Sequence, residues 1–243
     1  MPDIDWQLPW FAPWARHGAL VANAWRQTPD ALHAALNSAL SPDSAKRFVP
    51  QDTLPDGTAY ESFIFQAHRI PTRNHTHDFF NGLCWLRFPQ TKSQLNRLQA
   101  QEIDRSGVGA HRGRLRDALT VFDENAALLW APPVIWQALQ AKQWRDLFVT
   151  HRAAWAQCHL QLFGHALLEK WLNPYKGITA HVWCLPLPTH ESDAQIDACL
   201  CQQLTPERLM DKPFVPLPLA GIPGWWSDNH APDFYEDKKV FRD

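Results

Sequence analysis

Residues 150–185 read THRAAWAQCHLQLFGHALLEKWLNPYKGITAHVWCL, and they combine both kinds of secondary structure. Over 150–172 the apolar residues fall on one side of a helical wheel, which predicts one long helix. Pro174 ends this helix, because proline has no N–H to donate to the preceding turn. The run ITAHVWCL at 178–185 then predicts a strand. This stretch therefore indicates an α+β protein.

The rest of the chain continues the same mixture, with helices in the majority. Further helices are predicted over 28–40, 78–88, 91–103, 191–204 and from 206, a strand over 60–66, and a hairpin joining 119–122 to 127–130. The predicted fold is a mainly helical α+β single domain with a small β component. We assign residues 19–212 to this domain, 1–18 to an irregular N-terminal arm and 213–243 to an extended Pro-rich C-terminal arm.

Composition excludes several classes of protein. The 243 residues carry 23 Lys and Arg against 25 Asp and Glu, so the chain is no general polycation for nucleic acids or membrane surfaces. Hydrophobic residues make up 45%, which excludes disorder as the main state. No apolar stretch is long enough to cross a bilayer, and the N-terminus lacks the features of a signal peptide. Five cysteines without metal-ligand spacing predict reduced thiols in a cytoplasmic protein.

One face of the predicted 150–172 helix carries unusual polar residues. His165 and Glu169 are four residues apart, so both side chains can reach one point. That spacing suits a divalent metal, or a carboxylate that orients an imidazole for acid–base chemistry. His181 on the following strand is the candidate third metal ligand. A surface helix with an ordinary His–Glu pair is the alternative.

A second polar segment precedes the helix predicted over 78–88. Its candidate catalytic residues are His75, His77 and Asp78, because histidine can act as acid, base or ligand near neutral pH and a neighbouring carboxylate can fix its tautomer. They would lie at the edge of an aromatic core, where pKa values shift. The alternative is that Asp78 caps the helix and the histidines are solvated.

A third segment is basic. Between Arg87 and Arg116 there are seven Lys or Arg and two acids. The glycines around Arg112, together with Arg114 and Arg116, predict an anion-binding loop, since guanidinium groups hold phosphate or carboxylate with paired hydrogen bonds. A helix starting near Arg114 would add its N-terminal dipole. A solvated basic loop that pairs with the acidic residues Asp123 and Glu124 is the alternative.

The acidic segment Asp123–Glu124–Asn125 falls at the tip of the predicted hairpin. Paired acids can bind Mg²⁺ or act as general acid and base. Residues of these types also serve simply as turns. Both interpretations stay open from the sequence.

Four strings together give the chain a family resemblance: FQAHRIPTRNHTHDFFNGLCWLRFPQTKSQLN, GVGAHRGRLRDALTVFDEN, LFGHALLEKWLNPYKGITAH, and a tail with GIPGWW and DFYEDKKVFR. From about residue 60 to its C-terminus the chain resembles the bacterial family known as domain of unknown function 3025. The resemblance implies a single domain in a Gram-negative bacterium. It implies no reaction and no functional residues, because the family has no assigned activity.

These observations predict a metal-assisted hydrolase acting on a small anionic substrate, with phosphorylated molecules among the candidates, and a divalent metal as its cofactor. The alternative is a non-catalytic binding module, in which the arms and the basic loop recognise a partner protein or, less favoured, a nucleic acid. In a third interpretation the polar strings are purely structural. No membrane partner is expected, and the sequence leaves the oligomeric state open.

Overall fold

The computed structural model describes residues 2–107, 113–185, 192–211 and 213–242. The helices in these ranges are α1 (Ala15–Gln27), α2 (Leu32–Ser38), α3 (Tyr60–Ala67), α4 (Thr76–Arg87), α5 (Pro89–Ser106), α6 (Arg114–Asn125), α7 (Pro133–Gln140), α8 (His165–Lys170), α9 (Asp193–Gln203) and α10 (Pro206–Met210). The strands are β1 (Arg47–Pro50), β2 (Arg69–Thr72), β3 (Ala126–Trp130), β4 (His159–Leu162), β5 (Thr179–Cys184) and β6 (Val215–Pro218). The predicted α+β class, mainly helical, is confirmed.

The chain divides into two compact units. Unit 1 comprises Met1–Asp123 with Ser192–Lys212, and unit 2 comprises Glu124–Glu191 with Pro213–Asp243. The boundaries predicted for the two arms and the central domain stay predictions. Among the described residues, none of the helices combines the length and apolar character that crossing a bilayer requires. All five cysteines are free thiols.

Unit 1 is mainly helical, with one two-stranded parallel sheet. Strands β1 and β2 pair in register from Arg47 opposite Arg69 to Pro50 opposite Thr72. Helix α4 follows and is buried along most of its length, because apolar residues occupy nearly every position from Phe79 to Trp85. Aromatic side chains fill the space around it, with Phe79 and Phe80 fully buried.

The start of α5 is fixed by a residue distant in sequence. The Asp197 carboxylate on α9 accepts hydrogen bonds from the backbone N–H groups of Gln90 (2.9 Å) and Thr91 (2.8 Å). These amides belong to the first turn, which has no partners within its own helix. Burial raises the pKa of Asp197, and the hydrogen bonds from Thr91 and Gln90 oppose that rise. The carboxylate thereby ties α9 to α5.

Unit 2 contains a four-stranded mixed sheet in the order β4-β3-β5-β6. Strand β3 is antiparallel to β4 and parallel to β5, and β5 is antiparallel to β6. All five residues of β3 are buried, as expected for the apolar run AALLW in a central strand. An aromatic cluster of Phe148, Tyr235 and Phe241 contributes to the core, with ring centroids 5.2–5.9 Å apart.

The single helix predicted over 150–172 is wrong. This stretch contains a 3₁₀ helix (Arg152–Gln157), strand β4 and the short helix α8, and it follows a π-helix at Asp146–Thr150. Tertiary pairing overrides the helical period here, because β4 adds to the sheet beside β3. The predictions for β5, α4, α5, α9 and α10 are confirmed to within a few residues.

Two other elements differ from their predictions. The strand predicted over 60–66 is helix α3, a short apolar run whose period does not distinguish helix from strand. His68, with φ of 55°, ends that helix in the left-handed conformation. The hairpin predicted around Asp123 is also wrong, because α6 continues to Asn125 and runs directly into β3.

Candidate functional site

The predicted site residues fall in both units. Unit 1 contains His75, His77, Asp78, Arg114 and Arg116, and unit 2 contains His165, Glu169 and His181. Arg112 lies outside the described residues.

The segment at the start of α4 is organised by its own side chains. His75 is the N-cap, and its Nδ1 accepts a hydrogen bond from the His77 backbone N–H at 3.2 Å. Asp78 lies in the first turn and is therefore not the cap that the sequence suggested. Its buried carboxylate accepts from the Arg73 backbone N–H, Nε and Nη2 at 2.7, 3.1 and 2.7 Å. Asp78 therefore holds the loop before α4 in place. Catalytic roles for His75, His77 and Asp78 stay predictions.

The two described arginines of the basic loop differ in exposure. Helix α6 begins at Arg114, as predicted, and Arg114 is exposed. Arg116 is buried, and its Nη1 lies 3.5 Å from the Gly107 carbonyl oxygen. Its Nε has no hydrogen-bond partner within the described ranges. Anion binding by this loop stays a prediction.

Unit 1 also holds a buried ion pair that the sequence analysis missed. Lys92 on α5 is 4% exposed and Asp123 on α6 is 14% exposed, with Nζ and Oδ1 2.5 Å apart. Burial alone would lower the pKa of Lys92, but the Asp123 carboxylate, with smaller contributions from Cys84 and Glu61, raises it. Lys92 is therefore held as an ammonium ion whose charge is neutralised within the fold.

Further polar side chains surround this pair. Asn96 donates to the Glu61 carboxylate and to the Glu61 carbonyl oxygen, and Asn81 donates to the Tyr60 hydroxyl at 3.4 Å. Burial, followed by the charge of Glu61, raises the pKa of Tyr60 well above its usual value. We call this set the polar core of unit 1: Tyr60, Glu61, Asn81, Lys92, Asn96 and Asp123. The sequence contains one indication that Lys92 is buried. Lys92 precedes Leu95 by three positions and so lies on the apolar face of the helix.

The junction between α6 and β3 in unit 2 is built around Gly164. The backbone N–H groups of Phe163 and Gly164 both donate to the Ala126 carbonyl oxygen, at 2.9 and 2.8 Å. A Cβ atom on Gly164 would lie 2.4 Å from backbone atoms of Glu124 and Asn125. Only glycine allows this approach, and the next residue, His165, begins α8.

His165 faces Glu124 at this junction. Its Nε2 lies 3.4 Å from Glu124 Oε2, with the imidazole 5% exposed and the carboxylate 38% exposed. Charge-assisted N–H···O bonds are shorter, about 2.7–2.9 Å. Glu169, the partner predicted for His165, lies on the same short helix and is half-buried. Glu124 was predicted at the tip of a hairpin, either as one of a pair of acids for metal or acid–base chemistry or as a turn residue.

His181 on β5 has a different partner. Its Nδ1 lies 2.9 Å from the Asn125 amide nitrogen, which also donates to the Thr179 carbonyl oxygen at 2.9 Å. The amide is a donor, so Nδ1 accepts and the neutral ring carries its proton on Nε2. Burial, and then the charge of Lys170, lower the pKa of His181. In this tautomer Nε2 is a hydrogen-bond donor. Metal binding by His165, Glu169 and His181 together stays a prediction.

The family described as "Protein of unknown function (DUF3025)" matches residues 46–243, which is more than half of the chain. The chain belongs to this family. The match confirms the resemblance drawn from the four strings and extends it toward the N-terminus. No curated protein and no solved structure matches the chain. Chemistry for this DUF3025 protein therefore has to be inferred from its own side chains.

The two polar groups of the DUF3025 protein offer different chemistry. In the polar core of unit 1, the Lys92 charge is already neutralised by a close carboxylate. In unit 2, an imidazole and a carboxylate converge at a longer separation, and the carboxylate is the more exposed of the two. The Oδ1 atom of Asn125, next to Glu124 in sequence, is buried and has no partner in the described part of the chain. Unit 2 therefore holds the side chains best placed to accept a ligand.

Proposed function

We propose that this protein is a metal-assisted hydrolase and that Glu124 and His165 are two ligands of a divalent metal. The 3.4 Å separation of Nε2 and Oε2 carries the proposal. Zinc lies about 2.0–2.2 Å from imidazole nitrogen and carboxylate oxygen, and tetrahedral angles then separate the two ligand atoms by about 3.4 Å. The observed separation fits a shared metal better than a charge-assisted hydrogen bond.

Burial around the pair supports the same role. The His165 ring is almost completely buried, so its direction is fixed before any ligand binds. The Glu124 carboxylate keeps partial access to solvent. A catalytic metal needs both features, because fixed ligands set its geometry while one open position admits water or substrate.

Water or substrate would complete the coordination, because within the described ranges no third His, Cys, Asp or Glu of unit 2 brings a ligand atom within 4.8 Å of both Glu124 and His165. The Nε2 proton of His181 instead suits donation to a substrate oxygen. When bound, the metal would supply a water molecule that is ionised near neutral pH. That water would be the nucleophile toward an acyl or phosphoryl centre, and Glu124 and His165 would hold the metal that supplies it. His181 would hold the negative charge on the substrate, which is why we propose an anionic substrate.

Calorimetric titration with Zn²⁺ tests this assignment, using protein purified without chelator or affinity tag. We expect one equivalent to bind, and Glu124→Gln and His165→Gln each to weaken binding at least about tenfold. The matched controls are Glu207→Gln and His230→Gln, which alter exposed residues and should bind as the parent does. Glu169→Gln and His181→Gln then test whether either residue, as the sequence predicts, also binds the metal.

Two outcomes would contradict the proposal: no stoichiometric binding of Zn²⁺ or Mn²⁺, or equal affinity in the Glu124, His165 and control variants. The non-catalytic binding module would then be preferred. A screen of chromogenic esters and phosphate esters with the loaded protein tests hydrolysis.

We also propose a cytoplasmic location, which the five free thiols support. Alkylation of protein from fresh extracts, under denaturing conditions and before any reduction, should therefore modify all five cysteines.

A further inference from the structure

Unit 1 contains a pocket of about 420 Å³ beside Trp85, at the C-terminal end of α4. Its walls are mainly apolar, with a few polar groups, and include Leu40, Lys46, Ile70, Trp85, Pro89 and Ser93. Pockets that hold small organic molecules have this character and volumes of about 300–1,000 Å³. No residue proposed above as a metal ligand lines it.

Lys46 supplies a positive charge to the pocket wall. Its Nζ lies 3.4 Å from Ser93 Oγ and 5.5 Å from the centre of the Trp85 ring. Within the described ranges, no carboxylate oxygen comes within 4.0 Å of this nitrogen. Lys92 lies over the same ring at 5.4 Å, but Asp123 neutralises it. Among the described residues, Lys46 is therefore the cation beside Trp85 that has no carboxylate within 4.0 Å.

The loop that carries Lys46 is fixed by its own hydrogen bonds. Arg47 Nη1 donates to the carbonyl oxygens of Ser44 (2.6 Å) and Lys46 (3.0 Å). The Asn37 side chain bonds both the N–H and the carbonyl of Phe48, at 2.9 and 2.8 Å. Because the backbone on both sides is tied, a ligand would meet Lys46 already positioned, which reduces the entropy lost on binding.

We propose that this pocket binds a small organic monocarboxylate with an apolar body. The carboxylate accepts hydrogen bonds from Lys46 Nζ and Ser93 Oγ, and the body packs on Ile70 and Trp85. Asp43, an exposed residue that also lines the pocket, disfavours a second negative charge on the ligand. Dicarboxylates and phosphate dianions are therefore expected to bind less well than monocarboxylates. This site is independent of the proposed metal site.

Isothermal titration with 3-phenylpropionate tests the proposal, with 3-phenylpropanamide as the uncharged analogue and phenylsuccinate as the dicarboxylate. We expect saturable binding of the monocarboxylate and at least about tenfold weaker binding of both analogues, because a charge-assisted hydrogen bond is lost or a repulsion added. Equal affinity for 3-phenylpropionate and 3-phenylpropanamide, or no saturable binding of 3-phenylpropionate, would overturn the proposal.

Variants assign the charge to Lys46. Lys46→Met keeps the apolar stem and should weaken 3-phenylpropionate binding at least about tenfold, whereas Lys46→Arg keeps the charge and should stay within about threefold. Ser93→Ala removes the second donor and should weaken binding about threefold to tenfold. Lys239→Met, at an exposed lysine elsewhere, is the matched control, and thermal melts check that each variant is folded. Unchanged affinity in Lys46→Met would overturn the proposal even if 3-phenylpropionate binds.

Discussion

Asp123 and Glu124 are consecutive residues of α6, yet their carboxylates are used in opposite ways. Asp123 is nearly buried and lies 2.5 Å from the Lys92 ammonium group. Glu124 is more than one-third exposed and lies 3.4 Å from the His165 ring. We call the first the closed pair and the second the open pair. The closed pair satisfies its own charges, whereas the separation in the open pair is longer than a charge-assisted hydrogen bond.

The difference shows that two consecutive carboxylates at one helix end can have different roles. A buried ammonium and carboxylate must neutralise each other, because each alone would be very costly inside the protein. A partly exposed carboxylate beside an imidazole has no such requirement, since water can solvate it and the imidazole can be neutral. The closed pair should therefore govern stability, and the open pair should govern ligand binding.

The largest expected effect comes from breaking the closed pair. Lys92→Met leaves the Asp123 carboxylate buried without its partner, and we expect a loss of about 3–5 kcal/mol in the free energy of unfolding. The matched change in the open pair, Glu124→Gln, should cost less than about 1 kcal/mol, because that carboxylate is partly solvated. Urea unfolding followed by circular dichroism measures both. Equal losses in the two variants would remove the distinction between the pairs.

The next effect concerns the glycine that positions the open pair. Gly164→Ala places a Cβ atom 2.4 Å from the Glu124–Asn125 backbone, which must then move. Overpacking of this kind costs about 1–3 kcal/mol, and we expect Zn²⁺ affinity to fall with it. Gly113→Ala is the control, because its Cβ would meet no atom within 4 Å. If Gly164→Ala retained full stability and full Zn²⁺ binding, the backbone contact would not position His165.

The smallest effect is a pH dependence from His181. Its folded-state pKa is lowered below 6.5, so the unfolded state takes up the proton first. The contribution of neutral His181 to stability is therefore complete above pH 6.5 and declines as pH falls below 6.5 toward the folded-state pKa. Urea unfolding between pH 5 and 8 should show a shallower decline for His181→Gln than for the parent. Parallel profiles would show that His181 is not the responsible group.

The incorrect prediction of one helix over 150–172 shows which structural features a sequence pattern does not specify. Its apolar residues fit a helical wheel, but the segment His159–Leu162 is strand β4, only four residues long. Such a short strand gives almost no alternation to detect, and its pairing with β3 depends on residues some 30 positions earlier in the chain. The predicted partner Glu169 followed from that helix. The observed partner Glu124 follows from the close backbone approach at Gly164.

Other features were within reach of the sequence. Strand β5 and helices α4, α5 and α9 follow from local patterns and stop signals, and the structure has them. His165 was singled out because histidine is unusual on a solvent-facing helix, and the structure buries it beside a carboxylate. The closed pair was missed because Lys92 and Asp123 lie on different helices, and nothing in either helix specifies its partner.

The order of segments along the chain has a consequence for folding. Along the chain, α9 and α10 of unit 1 follow β3, β4 and β5 of unit 2, and β6 of unit 2 follows α10. The Asp197 carboxylate consequently reaches back 106 positions to the Thr91 amide. Because closing such long loops slows folding, we expect the start of α5 to be completed late. A single cut between residues 124 and 212 divides both units, because each has pieces on the two sides of it.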